Sequence, residues 1–212
     1  MKKLIIIVAL FINSFVNTQT NFDSILLVRE NEYITSLGLT KVQFDKFCYK
    51  TQTKLDGIVL VKVNEYRTSL DGDDENGCLT KVQFDKVCYK AADNQSSYLL
   101  LKKNIVGHEQ DNIEFKTLLK RYINFGGNKR SSIAEVCNSV NKNLKVDNDM
   151  YLDSLAKLIV STWKISTDHN KILISPEYKF IGVSTKLKIL NTGNKNWIHY
   201  DIISTMVFTT MK

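Results

Sequence analysis

The stretch Trp163-Lys164-Ile165-Ser166-Thr167-Asp168-His169-Asn170-Lys171-Ile172-Leu173 stands between a helical pattern and a run of strand-forming residues. Before it, residues 149–166 predict a helix that carries one apolar face, formed by Leu152, Leu155, Ile159 and Trp163. After it, residues 179–190 and 197–209 are rich in β-branched residues and flank Asn191-Thr192-Gly193-Asn194, which predicts an antiparallel hairpin. Helices come first and strands gather late, and this order favours an α+β domain over βαβ alternation.

Three more helices are predicted upstream of this stretch. Residues 57–70 have apolar side chains at helical spacing, and Thr80 is the expected N-cap of a second helix that runs to Leu99. Residues 114–125 form the third, which ends at Gly126-Gly127 because glycine adopts the left-handed conformation after a helix at little cost. Between the third helix and the last, residues around 133–140 are compatible with a strand.

The N-terminal half contains an internal duplication. Leu39-Thr40-Lys41-Val42-Gln43-Phe44-Asp45-Lys46-Phe47-Cys48-Tyr49-Lys50 recurs with one mismatch as residues 79–90. Residues 31–37 likewise recur as 64–70, again with one mismatch. Two copies are too few for a solenoid, so one copy is expected to lie outside the main fold.

The two copies differ in the residues at their C-terminal ends. The second continues beyond Lys90 as an amphipathic pattern, whereas the first loses that pattern at Thr51-Gln52-Thr53-Lys54. We therefore assign residues 21–54 to a duplicated N-terminal arm and residues 55–212 to the folded domain. The arm could pack on the surface, exchange with the second copy or stay mobile.

The first 20 residues have the composition of a secretory signal peptide. Lys2 and Lys3 precede an apolar run, residues 4–12, and residues 13–20 are polar. The run is shorter than the roughly 20 residues of a transmembrane helix, so residues 1–20 are interpreted as a cleaved signal, with an uncleaved anchor as the alternative. The sequence thus predicts a secreted, extracellular protein, or a periplasmic one in a Gram-negative cell, without a transmembrane span.

Composition narrows the class of protein further. With 43% hydrophobic residues the 212-residue chain can bury a core, and its net charge of +7 includes no Lys/Arg block typical of a nucleic-acid-binding arm. Nucleic acid is therefore not an expected partner. In an exported protein the four cysteines permit two disulfides in three connectivities, and the sequence does not choose among them: Cys48, Cys78, Cys88 and Cys137.

Several short motifs follow one another in a characteristic order. They are Val63-Asn64-Glu65-Tyr66-Arg67, Ala92-x-x-Gln95-Ser96-x-Tyr98-Leu99, Gly107-His108, Ile133-Ala134-Glu135-Val136, the opening stretch 163–173, Phe180-Ile181-Gly182-Val183 and Ser204-Thr205-Met206-Val207-Phe208. Taken together, the chain from about residue 55 resembles the CAP superfamily, the cysteine-rich secretory, antigen five and pathogenesis-related group. It is most similar to the shorter SCP-like members of bacterial type.

This resemblance implies a fold and a site. The fold is a three-layer α-β-α sandwich with a central antiparallel sheet, and the cleft residues carried over by position are His108, Glu135 and His169. Two imidazoles and a carboxylate could bind Zn²⁺ or another divalent cation, or could hold a water for general-base chemistry. The third histidine, His199, has no counterpart in the family pattern.

The chain departs from that pattern at three positions. Gln95 replaces a histidine, Val136 replaces an asparagine that would help to orient the site, and Ser166 stands where the larger eukaryotic members have a second cleft glutamate. The site is therefore reduced relative to a full His/Glu tetrad. These departures weaken the case for catalysis.

Two functions of different classes remain open. The first is a non-enzymatic secreted binding module for an apolar ligand such as a sterol or fatty acyl chain, for a metal ion, or for a protein partner. The alternative is a metal-dependent hydrolase in which His108, Glu135 and His169 position a water. Metal binding without turnover would favour the first.

Overall fold

A computed structural model describes most of the chain from residue 41 onward, namely residues 41–70, 79–102, 106–145, 149–194 and 197–211. The chain forms two compact units, residues 1–47 and 48–212. The predicted signal peptide, residues 1–20, and the first part of the arm lie outside the described residues. The boundary proposed at residue 55 stays a prediction.

The described residues form helices and strands in a mixed order. The helices are α1 (Lys41–Ser69), α2 (Lys86–Leu101), α3 (Leu118–Asn124), α4 (Asp149–Ile165) and α5 (Thr167–Leu173). The strands are β1 (Gln83–Phe84), β2 (Ile133–Lys145), β3 (Phe180–Asn194) and β4 (Trp197–Thr209). Within this part of the chain no helix combines the length and apolar character needed to cross a membrane. The α+β class is confirmed.

The four strands form one sheet in the order β1-β3-β4-β2. β4 pairs antiparallel with both β2 and β3, as the hairpin pattern predicted. β1 adds a parallel pair at one edge, where Gln83 and Phe84 lie opposite Phe180 and Ile181, so the sheet is mixed. A strand of two residues is too short to show a period of two, which is why the sequence did not reveal it.

Helices cover both faces of the sheet. On one face Cys88, Ala91 and Ala92 of α2 pack with Tyr122 of α3 against Val207 of β4. On the other, the Nδ2 of Asn138 in β2 donates to the carbonyl of Ile159 in α4. The expected three-layer sandwich is therefore present. The predicted apolar face of α4 is confirmed, because its members Leu152, Leu155, Ile159 and Trp163 are all buried.

Several element ends differ from the sequence predictions. Helix α2 begins after Asp85 rather than Thr80, because the Asp85 carboxylate accepts from the backbone N–H of Cys88. α4 stops at Ile165, and Ser166 becomes the N-cap residue of the separate helix α5. β3 continues through Asn194, so residues 191–194 belong to the strand and not to the predicted turn.

The end of α3 agrees with the sequence prediction. Gly126 has φ +96° and its N–H donates to the carbonyl of Ile123, while the N–H of Gly127 donates to that of Tyr122. These bonds satisfy the last carbonyls of the helix. Glycine is favoured at position 126 because L-residues with side chains rarely adopt this φ.

The duplicated segment has two different structures. Residues 41–46 are helical in α1, whereas the identical residues 81–86 contain the strand β1 and the N-cap residue Asp85. Residues 51–54 are also helical, so the expected loss of helix after the first copy is wrong. Tertiary contacts, rather than local propensity, therefore decide the conformation of this segment.

The contacts that hold the second copy come from the Asn64/Arg67 pair of α1. The Asn64 side chain exchanges two hydrogen bonds with the backbone of Val82, at 2.8 and 3.1 Å. The buried Arg67 guanidinium donates to the carbonyls of Thr80 and Ser175, both at 3.1 Å. The first copy has Ile34 at the position of Arg67 and lacks this donor. The motif that contributed to the family resemblance thus has a structural role.

The identical sequence in two contexts gives a paired prediction. Asp85→Ala removes the N-cap of α2 and should lower the free energy of unfolding by about 1 kcal/mol. Asp45 lies inside α1 and not at a helix start, so Asp45→Ala removes no N-cap and should not lower the free energy of unfolding in this way. Urea denaturation of both variants measures the two effects. Equal losses in both would contradict the assignment of two conformations.

A buried carboxylate connects α1 to the sheet. Asp56 Oδ1 accepts from the backbone N–H of Thr185 in β3 at 2.7 Å. Burial raises the pKa of Asp56 to about 7. The hydrogen bonds with Thr185 lower the pKa but do not offset the effect of burial. Because the folded-state pKa lies above the unfolded one, ionisation costs stability as pH rises from about 4 to about 7.

Asp56→Asn should therefore change the pH dependence of stability. The amide oxygen can still accept from Thr185, but the variant has no charge to bury. We expect it to be more stable than the parent by about 2–4 kcal/mol at pH 8 and to match it near pH 4. Denaturation at several pH values tests this, with the exposed Asp168→Asn as control. A constant difference between parent and variant across that range would contradict it.

Candidate functional site

The structure brings the three predicted cleft residues together at one end of the sheet. Glu135 lies on β2, His108 on the segment between α2 and α3, and His169 on α5. His108 Nδ1 is 3.0 Å from Glu135 Oε1. The rings of His108 and His169 meet edge to face with centroids 6.5 Å apart. Three elements distant in sequence thus contribute to one site.

A fourth residue, Arg121 on α3, binds the Glu135 carboxylate. Its Nη2 donates to both oxygens of Glu135, at 2.9 and 2.7 Å, and its side chain is fully buried. Its Nη1 donates to the carbonyls of His108 and Phe115, both at 3.1 Å. Arg121 therefore fixes Glu135 and also the segment that carries His108.

The ion pair determines how His108 is presented. Glu135 Oε1 accepts from the guanidinium and lies 3.0 Å from His108 Nδ1. When this oxygen accepts the Nδ1 proton, Nε2 is the unprotonated nitrogen of the neutral ring. The His108 side chain is 52% exposed, whereas that of Glu135 is 2% exposed. The site thus combines a buried carboxylate with an accessible imidazole.

The two imidazoles have opposite electrostatic environments. The hydrogen bond to Glu135 raises the pKa of His108, partly offset by burial. Burial and the neighbouring His108 lower the pKa of His169. His169 is therefore neutral at physiological pH, which is the form that binds metal ions or accepts a proton.

Cys137 lies beside His108, two residues along β2 from Glu135 and on the same face. Its Sγ is 3.9 Å from His108 Nδ1 and 3.6 Å from Thr205 Oγ1. Burial raises the pKa of this thiol well above its usual range, which makes it a poor nucleophile. The cysteine pattern alone pointed only to disulfides and did not suggest this position.

The expected disulfides do not include Cys88 or Cys137. Both are buried free thiols. Cys88 packs with Ala91, Ala92 and Tyr122, and Cys137 packs against Leu99 and Ile203. Each is enclosed by apolar side chains from neighbouring elements, and this packing rather than a bridge accounts for its burial. The side chains of Cys48 and Cys78 lie outside the described residues.

The departures from the family pattern have structural explanations. Gln95 Nε2 donates to the carbonyl of Gly107 at 2.6 Å and its Oε1 accepts from Gln110, so it supports the segment that carries His108. Val136 is buried on the opposite face of β2 from Glu135, because successive side chains alternate. An amide at that position would not reach His108. The replacement of the asparagine by Val136 therefore does not weaken the site, although the sequence analysis expected that it would.

An open cavity beside α3 is partly polar. It has a volume of about 530 Å³ and is lined by Ile113, Glu114, Phe115, Lys120 and Asn124. The Lys120 ammonium is held by the carbonyl of Ile113 at 2.8 Å. The expected sterol or fatty acyl ligand stays a prediction.

Three solved structures are similar to the chain. An outer surface protein from Borrelia burgdorferi has a TM-score of 0.42 and 17% identity, with 74% of this chain and 92% of that chain covered. An extracellular protein containing a SCP domain from Bacillus anthracis has a TM-score of 0.48 and 15% identity, with coverages of 78% and 44%. A cysteine-rich secretory protein from Staphylococcus aureus has a TM-score of 0.42 and 11% identity, with coverages of 76% and 39%.

Sequence comparison gives the family. No curated protein sequence matches the chain significantly. The family model described as "Cysteine-rich secretory protein family" (CAP) matches residues 60–188, which is more than half of the chain and includes His108, Glu135 and His169. The match also spans α2 to the first half of β3, the elements that build the site. The chain therefore belongs to the CAP family of cysteine-rich secretory proteins.

Proposed function

We propose that this protein is a non-enzymatic binding module whose His108 and His169 imidazoles bind a divalent cation such as Zn²⁺. The observation that carries the proposal is the buried Arg121–Glu135 pair, which holds an accessible His108 beside a neutral His169. Imidazole is a common zinc ligand, and a hydrogen bond from its other nitrogen to a carboxylate fixes the ring and raises its basicity. Both donors are therefore of a type that binds the ion.

Glu135 is proposed as a positioning residue rather than a ligand. Both of its oxygens accept from Arg121, and one of them also accepts from His108. A cation on these oxygens would lie next to the buried guanidinium, which would repel it. The carboxylate instead orients His108, and the ion is held at the exposed side of the site. Two protein ligands leave open positions for water or a partner's group.

A further part of the proposal concerns the location of the protein. We propose that the protein acts outside the cytoplasm, which is supported by Lys2, Lys3 and the apolar run at residues 4–12 and by the secretory description of the family. Native mass spectrometry of protein exported by a bacterial host would report the cleavage site, the bound metal and any bound lipid together. A mature mass that still includes residues 1–20 would contradict the signal-peptide proposal.

Zinc titration of the purified protein tests the cation site. We expect the affinity of His108→Ala and His169→Ala to fall by at least about 100-fold, since loss of a supporting outer residue alone costs about 10–100-fold. His199→Ala is the matched control. Its Cα is paired with that of Asn143, far along β2 from Glu135, so its zinc affinity should not change.

The outcomes separate the two functions considered. Zinc binding that is lost in both site variants, without hydrolysis of peptide or ester substrates, supports the binding module. Zinc-dependent turnover that disappears in the same variants would replace it with the hydrolase. Unchanged zinc affinity in His108→Ala and His169→Ala would overturn the site.

A further inference from the structure

A second set of donor atoms lies around His108 Nδ1, and we call it the inner site. His108 Nδ1, Glu135 Oε1 and Cys137 Sγ all lie within 4.8 Å of one another. The nitrogen and the sulfur are 3.9 Å apart, and no disulfide occupies the thiol. We propose that Cys137 and His108 Nδ1 form a separate site for a soft monovalent cation, Cu(I). This inner site is distinct from the proposed divalent site, which we call the outer site and which uses His108 Nε2 and His169.

The type of donor favours a soft ion. A thiolate and an imidazole are ligands that suit copper, and soft thiolate ligands select Cu(I) over hard cations such as Mg²⁺ or Ca²⁺. The hydroxyl of Thr205 lies 3.6 Å from the sulfur and can donate to the thiolate once it forms. The immediate surroundings of the sulfur therefore supply one soft anion, one nitrogen and one supporting donor.

The charge of the surroundings favours a monovalent ion. Arg121 and Glu135 form a buried pair whose charges cancel. When Cu(I) binds, the Cys137 thiol loses its proton to solvent, and the thiolate and the ion again sum to zero. A divalent ion in the same place would leave one uncompensated positive charge among buried groups, which is costly.

The geometry also separates the two sites by the nitrogen that each one uses. The inner site needs the Nδ1 lone pair, so the ring proton moves to Nε2 and the hydrogen bond to Glu135 is given up. The Glu135 carboxylate keeps both bonds from Arg121 in that state. The outer site needs Nε2 and keeps the proton on Nδ1. Cu(I) at the inner site should therefore compete with Zn²⁺ at the outer one.

Access to the inner site runs past His108. Cys137 is buried, but the adjacent imidazole is half exposed and belongs to a segment outside the regular helices and strands. Because His108 Nδ1 is 3.9 Å from the sulfur, rotation of that ring would uncover one side of the sulfur. The remainder of the thiol's surroundings, Leu99 and Ile203, is apolar and excludes water from the bound ion.

Anaerobic Cu(I) titration against a chromogenic Cu(I) chelator tests the proposal. All proteins carry Cys48→Ser and Cys78→Ser, so that those thiols do not contribute. We expect one Cu(I) per chain, a thiolate-to-copper absorption band, and an affinity that falls at least about 100-fold in Cys137→Ser. Cys88→Ser is the matched control, since it removes another buried free thiol, one that packs with Ala91, Ala92 and Tyr122, and its affinity should not change.

Two more variants make the result decisive. His169→Ala should retain Cu(I) binding while it loses Zn²⁺ binding, and Cys137→Ala, which keeps an apolar side chain, replaces Cys137→Ser if the serine variant does not fold. Equal Cu(I) affinity with and without Cys137 overturns the inner site. Loss of Cu(I) in His169→Ala also overturns it and assigns the copper to the outer pair. Zinc binding that fails in the parent while Cu(I) binds would overturn only the divalent site.

Discussion

Gly182→Ala is expected to destabilise the protein by about 3 kcal/mol or more, the upper range for overpacking a core. A Cβ at position 182 of β3 would lie 1.9 Å from the backbone nitrogen of Tyr89 and 2.4 Å from the carbonyl carbon of Cys88. These are backbone atoms of α2, so no side-chain rotation relieves the overlap. The whole helix would have to move away from the sheet, and it would take its buried Cys88, Ala91 and Ala92 contacts with it.

Gly57→Ala provides a matched control of opposite sign. Gly57 lies inside α1, and a Cβ there would meet no atom within 4 Å. Alanine should therefore raise the free energy of unfolding by up to about 1 kcal/mol through helix propensity alone. Urea denaturation of both variants measures the contrast. A Gly182→Ala protein as stable as the parent would show that α2 does not approach β3 as closely as described.

Glu135→Gln is expected to cost about 3–5 kcal/mol, because it leaves the buried Arg121 guanidinium without its counter-charge. The amide can still accept one hydrogen bond but carries no charge. It also weakens the hydrogen bond that fixes His108, so the zinc affinity should fall by about 10–100-fold. Thermal unfolding and zinc titration measure the two effects on the same protein.

The double variant Arg121→Met/Glu135→Leu separates those two effects. Replacing both members of a buried ion pair by apolar residues is often neutral for stability, so most of the lost stability should return. The zinc affinity should stay low, because His108 still lacks its acceptor. A double variant that regained full zinc affinity would show that the ion pair does not position His108. If the double variant is no more stable than Glu135→Gln, the main contribution of Arg121 to stability comes from its hydrogen bonds to the carbonyls of His108 and Phe115.

The sequence predicted the parts of the fold that repeat a simple period. Helix α4 and the β3–β4 hairpin carry long, regular apolar patterns, and their existence and type agree with the structure. Helix starts were less predictable. Thr80 and Asp85 are both good N-cap residues, and the choice depends on Asn64 and Arg67, whose side chains bind the backbone of Val82 and Thr80 outside a helix.

The site was predictable only in part for a related reason. His108, Glu135 and His169 came from the ordered motifs, and the structure brings them together. Arg121 was missed because a basic residue in an amphipathic segment is usually exposed. Its burial follows from a carboxylate on another element, and no local pattern records that pairing. Cys137 was missed as a site residue because its spacing to the other cysteines says nothing about its neighbour His108.

The duplicated segment has a consequence for how the gene will change with time. Residues 81–86 contain the strand that pairs with β3 and the N-cap of α2, whereas residues 41–46 are helical. Selection on the two identical stretches therefore acts in different directions. In close relatives that share the duplication, we expect alanine, leucine and glutamate to accumulate in the first stretch and the Val82 and Asp85 positions to persist in the second.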